Sequence, residues 1–228
     1  MDAVASVTEL RLVYGRQAAW IDCEAAVVPA PGRYVLAHDH ESDAPLATEL
    51  FALEYGPRGF LAGPPVPREW QPGSILDVRG PLGLGFELPA EARRVALVAF
   101  DGDPSRLIPL AATAIRQAAS VALVCDTPPL ELPLQLEIHP VRGLAEVCEW
   151  SDYAAIDVDR GSVSELLGVL TRRRGVVGTG HAQALVRAPM PCGGIGQCGV
   201  CSVRTKAGPK LACVDGPVFD LKSLVGKS

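Results

Sequence analysis

The sequence lacks the features that define several classes of protein. Its 228 residues contain no uninterrupted apolar run of the roughly 18 residues that a membrane-spanning helix needs. The first ten residues lack the basic start and the apolar run of a secretion signal. The formal net charge is −5, and no stripe of Lys and Arg is present to neutralise nucleic-acid phosphates. We therefore predict a cytoplasmic protein with no direct membrane span and no nucleic-acid partner.

Dense charge is also scarce. The one basic run, Arg172 to Arg174, follows an apolar helical pattern, and we interpret it as the complement of a helix C-terminus. Hydrophobic residues make up 48% of the chain and charged residues 21%, which is typical of a soluble globular protein. The length allows one large domain or two to three small ones.

The pattern of apolar residues, prolines and glycines changes twice along the sequence. This predicts an α+β chain of three parts: residues 1–90, 91–175 and 176–228. The first part has short β-like runs separated by Pro and Gly, and it predicts a small antiparallel barrel. The expected strands are Glu9 to Tyr14, Ala18 to Val28, Gly32 to Ala37, Glu49 to Tyr55 and Ser74 to Arg79.

The second part begins with Val95 to Phe100, a continuous apolar run typical of a strand that is buried on both faces. Strand-like and helix-like segments alternate after it, which predicts a small parallel α/β layer. The expected strands are Val121 to Cys125, Leu134 to Val141 and Tyr153 to Val158, and the expected helices are Ser105 to Ala119, Leu144 to Trp150 and Ser162 to Arg173. After Gly175 the chain reads as irregular and glycine-rich.

Four of the seven cysteines lie within 22 residues of this last part: Cys192, Cys198, Cys201 and Cys213. In a reducing compartment such clustering favours a metal over disulfides. The first three are separated by five and two residues, close to the four-and-two spacing of plant-type [2Fe–2S] proteins. We predict that the four thiolates hold a [2Fe–2S] cluster.

Glycines interleave with these cysteines, at positions 193, 194, 196 and 199. A loop that wraps a cluster needs left-handed backbone and close approach of amide groups to the sulfides. Gly193, Gly194, Gly196 and Gly199 allow both, so we assign them to cofactor binding. The sequence after Cys201 predicts a hairpin that returns Cys213 to the cluster.

A four-cysteine zinc site is the alternative, since it would also use thiolates and a C-x-x-C pair. Zinc ribbons usually have two short C-x-x-C knuckles, whereas Cys213 stands alone here and Cys192 is five residues from its neighbour. The spacing therefore favours the cluster. Cys23, Cys125 and Cys148 lie singly in apolar segments and are expected to be inert thiols.

The segment from Cys192 to Phe219, which closes with Asp215-Gly-Pro-Val-Phe219, resembles the electron-transfer subunit of class B dihydroorotate dehydrogenase, in the ferredoxin–NADP reductase superfamily. Pro31-Gly-Arg-Tyr-Val35 is similar to the family's PGQFV-like strand, and Gly80-Pro-Leu-Gly-Leu-Gly-Phe86 to its GPLGNGF segment. The resemblance implies a flavin-reductase-like β-barrel, a ferredoxin-reductase-like α/β domain and a [2Fe–2S] tail. It also implies a flavin-containing partner subunit.

Two of the family's motifs are missing. The family holds FAD with an Arg-x-x-Ser strand, but Asp43 to Phe51 contains no arginine and adds Glu49. The Gly-Gly-x-Gly-like turn for the nucleotide pyrophosphate is replaced by a loop with Asp101 and Asp103, and the Cys-Gly-Pro signature by Ile156 to Asp159. These changes make FAD doubtful and NAD(P) binding unfavourable. We interpret the acidic residues as solvated loop residues rather than a new metal or catalytic site.

These observations predict an electron-transfer subunit of a multi-subunit oxidoreductase, with no catalytic residues of its own. Two alternatives stay open: an FAD-containing NAD(P)H reductase subunit that feeds a dihydroorotate-dehydrogenase-like partner, and a structural zinc-binding subunit without a redox role.

Overall fold

The computed structural model describes residues 1–128, 135–171 and 181–226. In these ranges the chain forms a seven-stranded antiparallel sheet, a six-stranded mixed sheet and a two-stranded hairpin. None of the helices in the described ranges has the length and apolar character needed to cross a membrane.

The antiparallel sheet is built from the N-terminal part of the chain, in the spatial order β4-β3-β7-β1-β2-β6-β5. Its burial alternates along the strands: Leu76 and Val78 are buried, whereas Ile75 and Asp77 point to solvent. One face therefore packs on a core that includes Ile21. The strands are β1 (Asp2–Val13), β2 (Arg16–Asp22), β3 (Tyr34–Asp39), β4 (Thr48–Leu50), β5 (Ala52–Gly56), β6 (Gly59–Ala62) and β7 (Ile75–Leu82).

The antiparallel prediction for this part is confirmed, although several boundaries differ. The strand expected over Glu49 to Tyr55 is two strands, β4 and β5, interrupted at Phe51. The expected strand over Ala18 to Val28 ends at Asp22 and is followed by a short 3₁₀ helix. Strand β6 was not predicted. Closure of the sheet into a barrel stays a prediction.

The second sheet has the order β10-β9-β8-β11-β12-β15, in which the first five strands are parallel and β15 is antiparallel to β12. Val95 to Ala99 are all buried, as expected for a strand covered on both faces. The predicted parallel α/β layer is confirmed. Its strands are β8 (Arg94–Ala99), β9 (Ser120–Val124), β10 (Leu136–His139), β11 (Tyr153–Asp159), β12 (His181–Arg187) and β15 (Val218–Asp220), and its helices are α1 (Ile108–Arg116), α2 (Leu144–Trp150) and α3 (Val163–Thr171).

Each predicted helix of this layer is present. Helix α1 is shorter than expected at both ends, and α3 begins one residue later than expected. Leu134, the expected first residue of β10, lies outside the described residues. The basic run from Arg172 to Arg174 lies outside them too.

The part that the sequence presents as irregular contributes regular structure as well. Strands β12 and β15 extend the second sheet, so the expectation of an irregular chain after Gly175 is wrong for these segments. Strand β12 lies between β11 and β15 in the sheet, and its Ala184, Leu185 and Val186 belong to the buried core. Between the two strands lie the predicted hairpin, β13 (Ser202–Thr205) and β14 (Gly208–Leu211), and the short helix α4 (Ala212–Asp215).

Candidate iron–sulfur site

The four clustered cysteines lie in the segment that connects β12 to β15. Cys192 and Cys198 belong to the turn-rich loop after β12, Cys201 immediately precedes β13, and Cys213 lies in α4. Cys201 and Cys213 are buried, Cys192 is half-buried and Cys198 is exposed. The hairpin thus brings Cys213 back to the loop as predicted.

The four thiols lie near one another. The Sγ atoms of Cys201 and Cys213 are 3.3 Å apart. The Cys198 thiol lowers the pKa of Cys192, and Cys201 and Cys192 raise the pKa of Cys213. All four are free thiols rather than disulfides. Over the described ranges, no group of three or more His, Cys, Asp or Glu side chains lies close enough together to hold one metal ion.

The backbone of the loop directs amide groups at sulfur. Burial disfavours the thiolate of Cys192, but hydrogen bonds from the Cys198 thiol and from the N–H groups of Cys198, Gly196 and Gln197 lower its pKa to about 6. Cys213 has the opposite balance, because burial and the neighbouring Cys201 raise its pKa to about 12. The Gly196 amide also donates toward Cys213. Amides already aimed at sulfur are suited to thiolates that carry negative charge.

The glycines of the loop adopt the conformation that was predicted for them. Gly193, Gly194, Gly196 and Gly199 all have positive φ angles, from 65° to 75°. Such angles are costly for residues with a Cβ atom. Gly194 also lacks space, because a Cβ there would lie 3.1 Å from the hydroxyl oxygen of Tyr34.

Side chains of the first sheet hold the loop from one side. The buried Tyr34 donates its hydroxyl proton to the backbone carbonyl of Cys213 at 3.2 Å. Arg79 donates from Nη1 to the carbonyl of Gly193 at 3.1 Å. The second sheet holds the loop from the other side, because Nη1 of Arg160 donates to the carbonyl of Val200 and lies 3.3 Å from that of Ser202.

The three sequence segments that carry the family resemblance meet next to this site. A Cβ on Gly32 would collide with Val218 and Phe86 at 2.7 and 2.8 Å, and one on Gly83 would lie 2.6 Å from the Gly216 carbonyl. Each segment therefore needs glycine for close packing against the others.

The carboxyl ends of β8, β11 and β12 carry a network of ion pairs. Asp157 is only 2% exposed and accepts from Arg187 Nε at 2.7 Å and from Arg106 Nη1 at 3.4 Å. Arg187 also pairs with Asp101, whose carboxylate accepts from the backbone N–H of Asp159. The interpretation of the acidic residues as solvated is wrong for Asp157, which is buried in β11, whereas Asp101 is exposed although it is paired with Arg187. Their arginine partners are distant in sequence, and the fold brings them together.

This network occupies the crevice where open α/β sheets bind nucleotides. The crevice holds a cavity of about 260 Å³, lined in part by Glu49, Phe51 and Arg106. Pockets for drug-sized ligands are typically about 300–1,000 Å³. Arg106, which lies 5.1 Å above the Phe51 ring, and Arg187 are both bonded to Asp157, and the Glu49 carboxylate accepts from the Met190 N–H at 3.1 Å. Because Arg106 and Arg187 are already paired with Asp157, neither is free to bind the pyrophosphate of FAD or NAD(P).

Sequence reasoning identified the cysteines and glycines but missed the side chains that hold their loop. Tyr34 and Arg79 lie in β-strand patterns that give no sign of a contact more than 100 residues away. Arg160 follows the segment that stands in place of the family's Cys-Gly-Pro signature, and its own sequence gives no sign of a contact 40 residues away.

Comparison with known proteins agrees with this geometry. Residues 188–225 match the family model for the iron–sulfur cluster binding domain of dihydroorotate dehydrogenase B. None of the curated proteins compared with the chain matches it.

Solved structures share the fold of the whole chain at low sequence identity. The NADH-dependent reduced ferredoxin–NADP oxidoreductase, described for flavin-based electron bifurcation, superposes with a TM-score of 0.71 at 18% identity, over 97% of this chain and 89% of the other. The Amycolatopsis cytochrome P450 reductase GcoB gives 0.61 at 14% identity, over 82% and 70% of the two chains. Ferredoxin–NADP⁺ reductase from Plasmodium falciparum gives 0.56 at 9% identity, over 75% and 90%.

The chain thus has the fold of the compared ferredoxin–NADP reductases, and its tail is similar to an iron–sulfur cluster binding domain. The resemblance to the electron-transfer subunit of class B dihydroorotate dehydrogenase, first drawn from the sequence, is confirmed by the match over residues 188–225.

Proposed function

We propose that the chain is the electron-transfer subunit of a multi-subunit oxidoreductase and relays single electrons through a [2Fe–2S] cluster to or from a partner subunit. Cys192, Cys198, Cys201 and Cys213 would hold the cluster. The observation that carries the proposal is that one loop, matched over residues 188–225 by an iron–sulfur cluster binding domain, brings the four thiols near one another with Cys201 and Cys213 in contact. A [2Fe–2S] cluster supplies one-electron chemistry and takes two protein ligands on each of its two irons.

A zinc site is the alternative, in which four sulfur atoms surround one ion, each about 2.3 Å from it. The spacing supports the cluster, because Cys192, Cys198 and Cys201 are separated by five and two residues and Cys213 stands alone, whereas zinc ribbons usually have two short C-x-x-C knuckles.

The protein residues contribute position and electrostatics rather than bond chemistry. Gly193, Gly194, Gly196 and Gly199 let the loop turn in the left-handed region, and the amides near Cys192 favour its thiolate. Contacts from both sheets fix the loop in place, as required of a centre that exchanges electrons across an interface.

We propose further that the subunit works without FAD or NAD(P). The crevice is small, Glu49 lies where the family has its phosphate-binding strand, and the nearby Arg106 and Arg187 are paired with Asp157 and Asp101. The first sheet would then serve as a docking body, and the electrons would come from a flavin-containing or other catalytic partner in the reducing cytoplasm. The division into a barrel (residues 1–90), an α/β domain (91–175) and a cluster tail (176–228) belongs to this proposal.

The fold favours a second candidate, because flavin-dependent electron transfer is described for the structure with a TM-score of 0.71. In that candidate the chain binds FAD through contacts unlike those of its family, oxidises NAD(P)H and feeds a dihydroorotate-dehydrogenase-like partner.

Visible absorption and metal analysis of the anaerobically purified chain separate the candidates. The proposal expects [2Fe–2S] absorption bands, two irons and two sulfides per chain, and no flavin bands before or after incubation with FAD. Flavin bands in addition to the cluster bands support the second candidate. A colourless protein with stoichiometric zinc overturns both and leaves a structural metal site. Copurification with the native partner, followed by cofactor analysis of each subunit, then tests the assignment as a subunit.

A further inference from the structure

Arg160 occupies an unusual place between the second sheet and the cysteine loop. It follows the last residue of β11, and its backbone N–H donates to the carbonyl of Arg187 at 3.0 Å. The position of Arg160 is thereby fixed at the carboxyl ends of two adjacent parallel strands. Its side chain then extends from the sheet to the hairpin.

The guanidinium group contacts the backbone carbonyls on both sides of Cys201. Nη1 donates to the carbonyl of Val200 and lies 3.3 Å from the carbonyl of Ser202, the residues that flank Cys201. The carbonyl of Cys201 accepts from the Ala212 N–H at 3.1 Å. Three successive carbonyls are therefore satisfied, two of them by a cation, and Cys201 itself is fully buried.

The charge of Arg160 is not neutralised by a carboxylate of the described residues, which distinguishes it from Arg106 and Arg187. Its hydrogen-bond partners there are neutral carbonyl groups. A fixed positive charge beside a redox centre stabilises the form that carries one more electron.

We propose that Arg160 is a positioning residue that clamps the Cys201 backbone and raises the reduction potential of the cluster. This inference rests on the proposed function. Both contacts are made by Nη1, so the clamp requires a cationic donor at this one point rather than the whole guanidinium fork. The charge acts through the backbone that carries the ligand, not through contact with the metal.

Arg204 offers a matched control. It lines the same cavity of about 480 Å³ as Arg160, is exposed, and its side chain makes no hydrogen bond or ion pair with the described residues. Replacing either arginine by glutamine removes one positive charge from this cavity. Only the change at Arg160 removes contacts to the backbone around Cys201.

The test is a potentiometric titration of the purified full chain, with dithionite as reductant, followed by visible absorption and by the electron paramagnetic resonance signal of the reduced cluster. We expect Arg160→Gln to shift the redox equilibrium about tenfold toward the oxidised form, which is a fall of about 59 mV for one electron. Arg160→Lys should recover most of this shift, and Arg204→Gln should give a much smaller one.

An unchanged potential in Arg160→Gln, or an equal fall in Arg204→Gln, overturns the inference. Loss of iron from Arg160→Gln with wild-type secondary structure by circular dichroism supports the clamp. Unfolding of both Arg160 variants would show a general structural role and overturn it. A wild-type chain without iron would refute the proposed function first, whereas an intact wild-type cluster with an insensitive Arg160 refutes this inference alone.

Discussion

The hydroxyl of Tyr34 donates a hydrogen bond of 3.2 Å to the backbone carbonyl of Cys213, 179 residues further along the chain. Tyr34 is fully buried in the first sheet, and Cys213 is the last of the four clustered cysteines. One bond thus connects the first sheet to the backbone of a clustered cysteine.

Tyr34→Phe should lower the free energy of unfolding by about 1–3 kcal/mol, because a buried carbonyl acceptor loses its donor. It should also speed the release of iron to a chelator. Urea unfolding and the rate of colour loss measure the two effects. Tyr55→Phe is the control, since Tyr55 donates to the Pro29 carbonyl at 3.0 Å far from the cysteines. Equal rates of iron release in the two variants would contradict the role of Tyr34.

Cys201→Ser should remove most of the iron, because a buried thiolate ligand is replaced by a poor ligand for iron. Iron and sulfide assays with the visible spectrum provide the measurement. Cys148→Ser should leave the iron content unchanged, since Cys148 lies in α2 and burial raises the pKa of its thiol to about 12. A full cluster with an unchanged spectrum in Cys201→Ser would refute the ligand set.

Glu49→Gln should stabilise the protein at neutral pH. Burial raises the pKa of Glu49 above its usual 4.5, although the Met190 N–H and Arg106 oppose the shift. Between pH 4.5 and the raised native value the folded state binds more protons than the unfolded state, so stability falls as the pH rises. The stability of Glu49→Gln should not fall with rising pH in this way. Its higher stability relative to the wild type should therefore vanish as the pH falls to 4.5.

Urea midpoints measured from pH 4.5 to 7.5 test this expectation. Glu91→Gln is the control at an exposed glutamate and should keep the slope of the wild type. A constant difference between Glu49→Gln and the wild type across the range would show that the Glu49 carboxyl does not titrate as proposed.

Two neighbouring glycines separate backbone conformation from packing. Gly193→Ala should cost about 1–2 kcal/mol, because its φ of 65° is left-handed but no atom lies within 4 Å of the new Cβ. Gly194→Ala has a similar φ of 72° and would in addition press on Tyr34 and Leu82 at 3.1 and 3.2 Å. Denaturant unfolding should show a larger loss of unfolding free energy for Gly194→Ala than for Gly193→Ala. Equal losses would show that the contacts with Tyr34 and Leu82 add no cost.

Local patterns in the sequence were sufficient for much of the fold. The apolar run at β8 and the hairpin of β13 and β14 follow from residues next to one another, since periodicity and turn chemistry act over a few positions. Strand β1 was recognised only from Glu9, although it starts at Asp2. Its first residues pair with β7, more than 70 positions away, and Ala and Ser carry a weak apolar signal.

The site was predictable to the same extent. Cysteine spacing and glycine content indicate a cluster loop because the loop is continuous in sequence. The bond from Arg187 to Asp157 joins β12 to β11, and only the order of the strands in the second sheet brings the two side chains together. The contacts of Arg160 join the end of β11 to the hairpin 40 residues later, which no local pattern indicates.

The cysteine loop leaves the second sheet through β12 and returns to it through β15, and these two strands pair with each other at Gln183 to Leu185. A fragment limited to residues 188–225 would keep β15 but lose the strand on which it lies. The metal-binding tail thus depends on β12 for its fold and is not an independent unit. Transplanting it into another reductase would require the host to supply an edge strand in the register of β12, or the graft to carry its own.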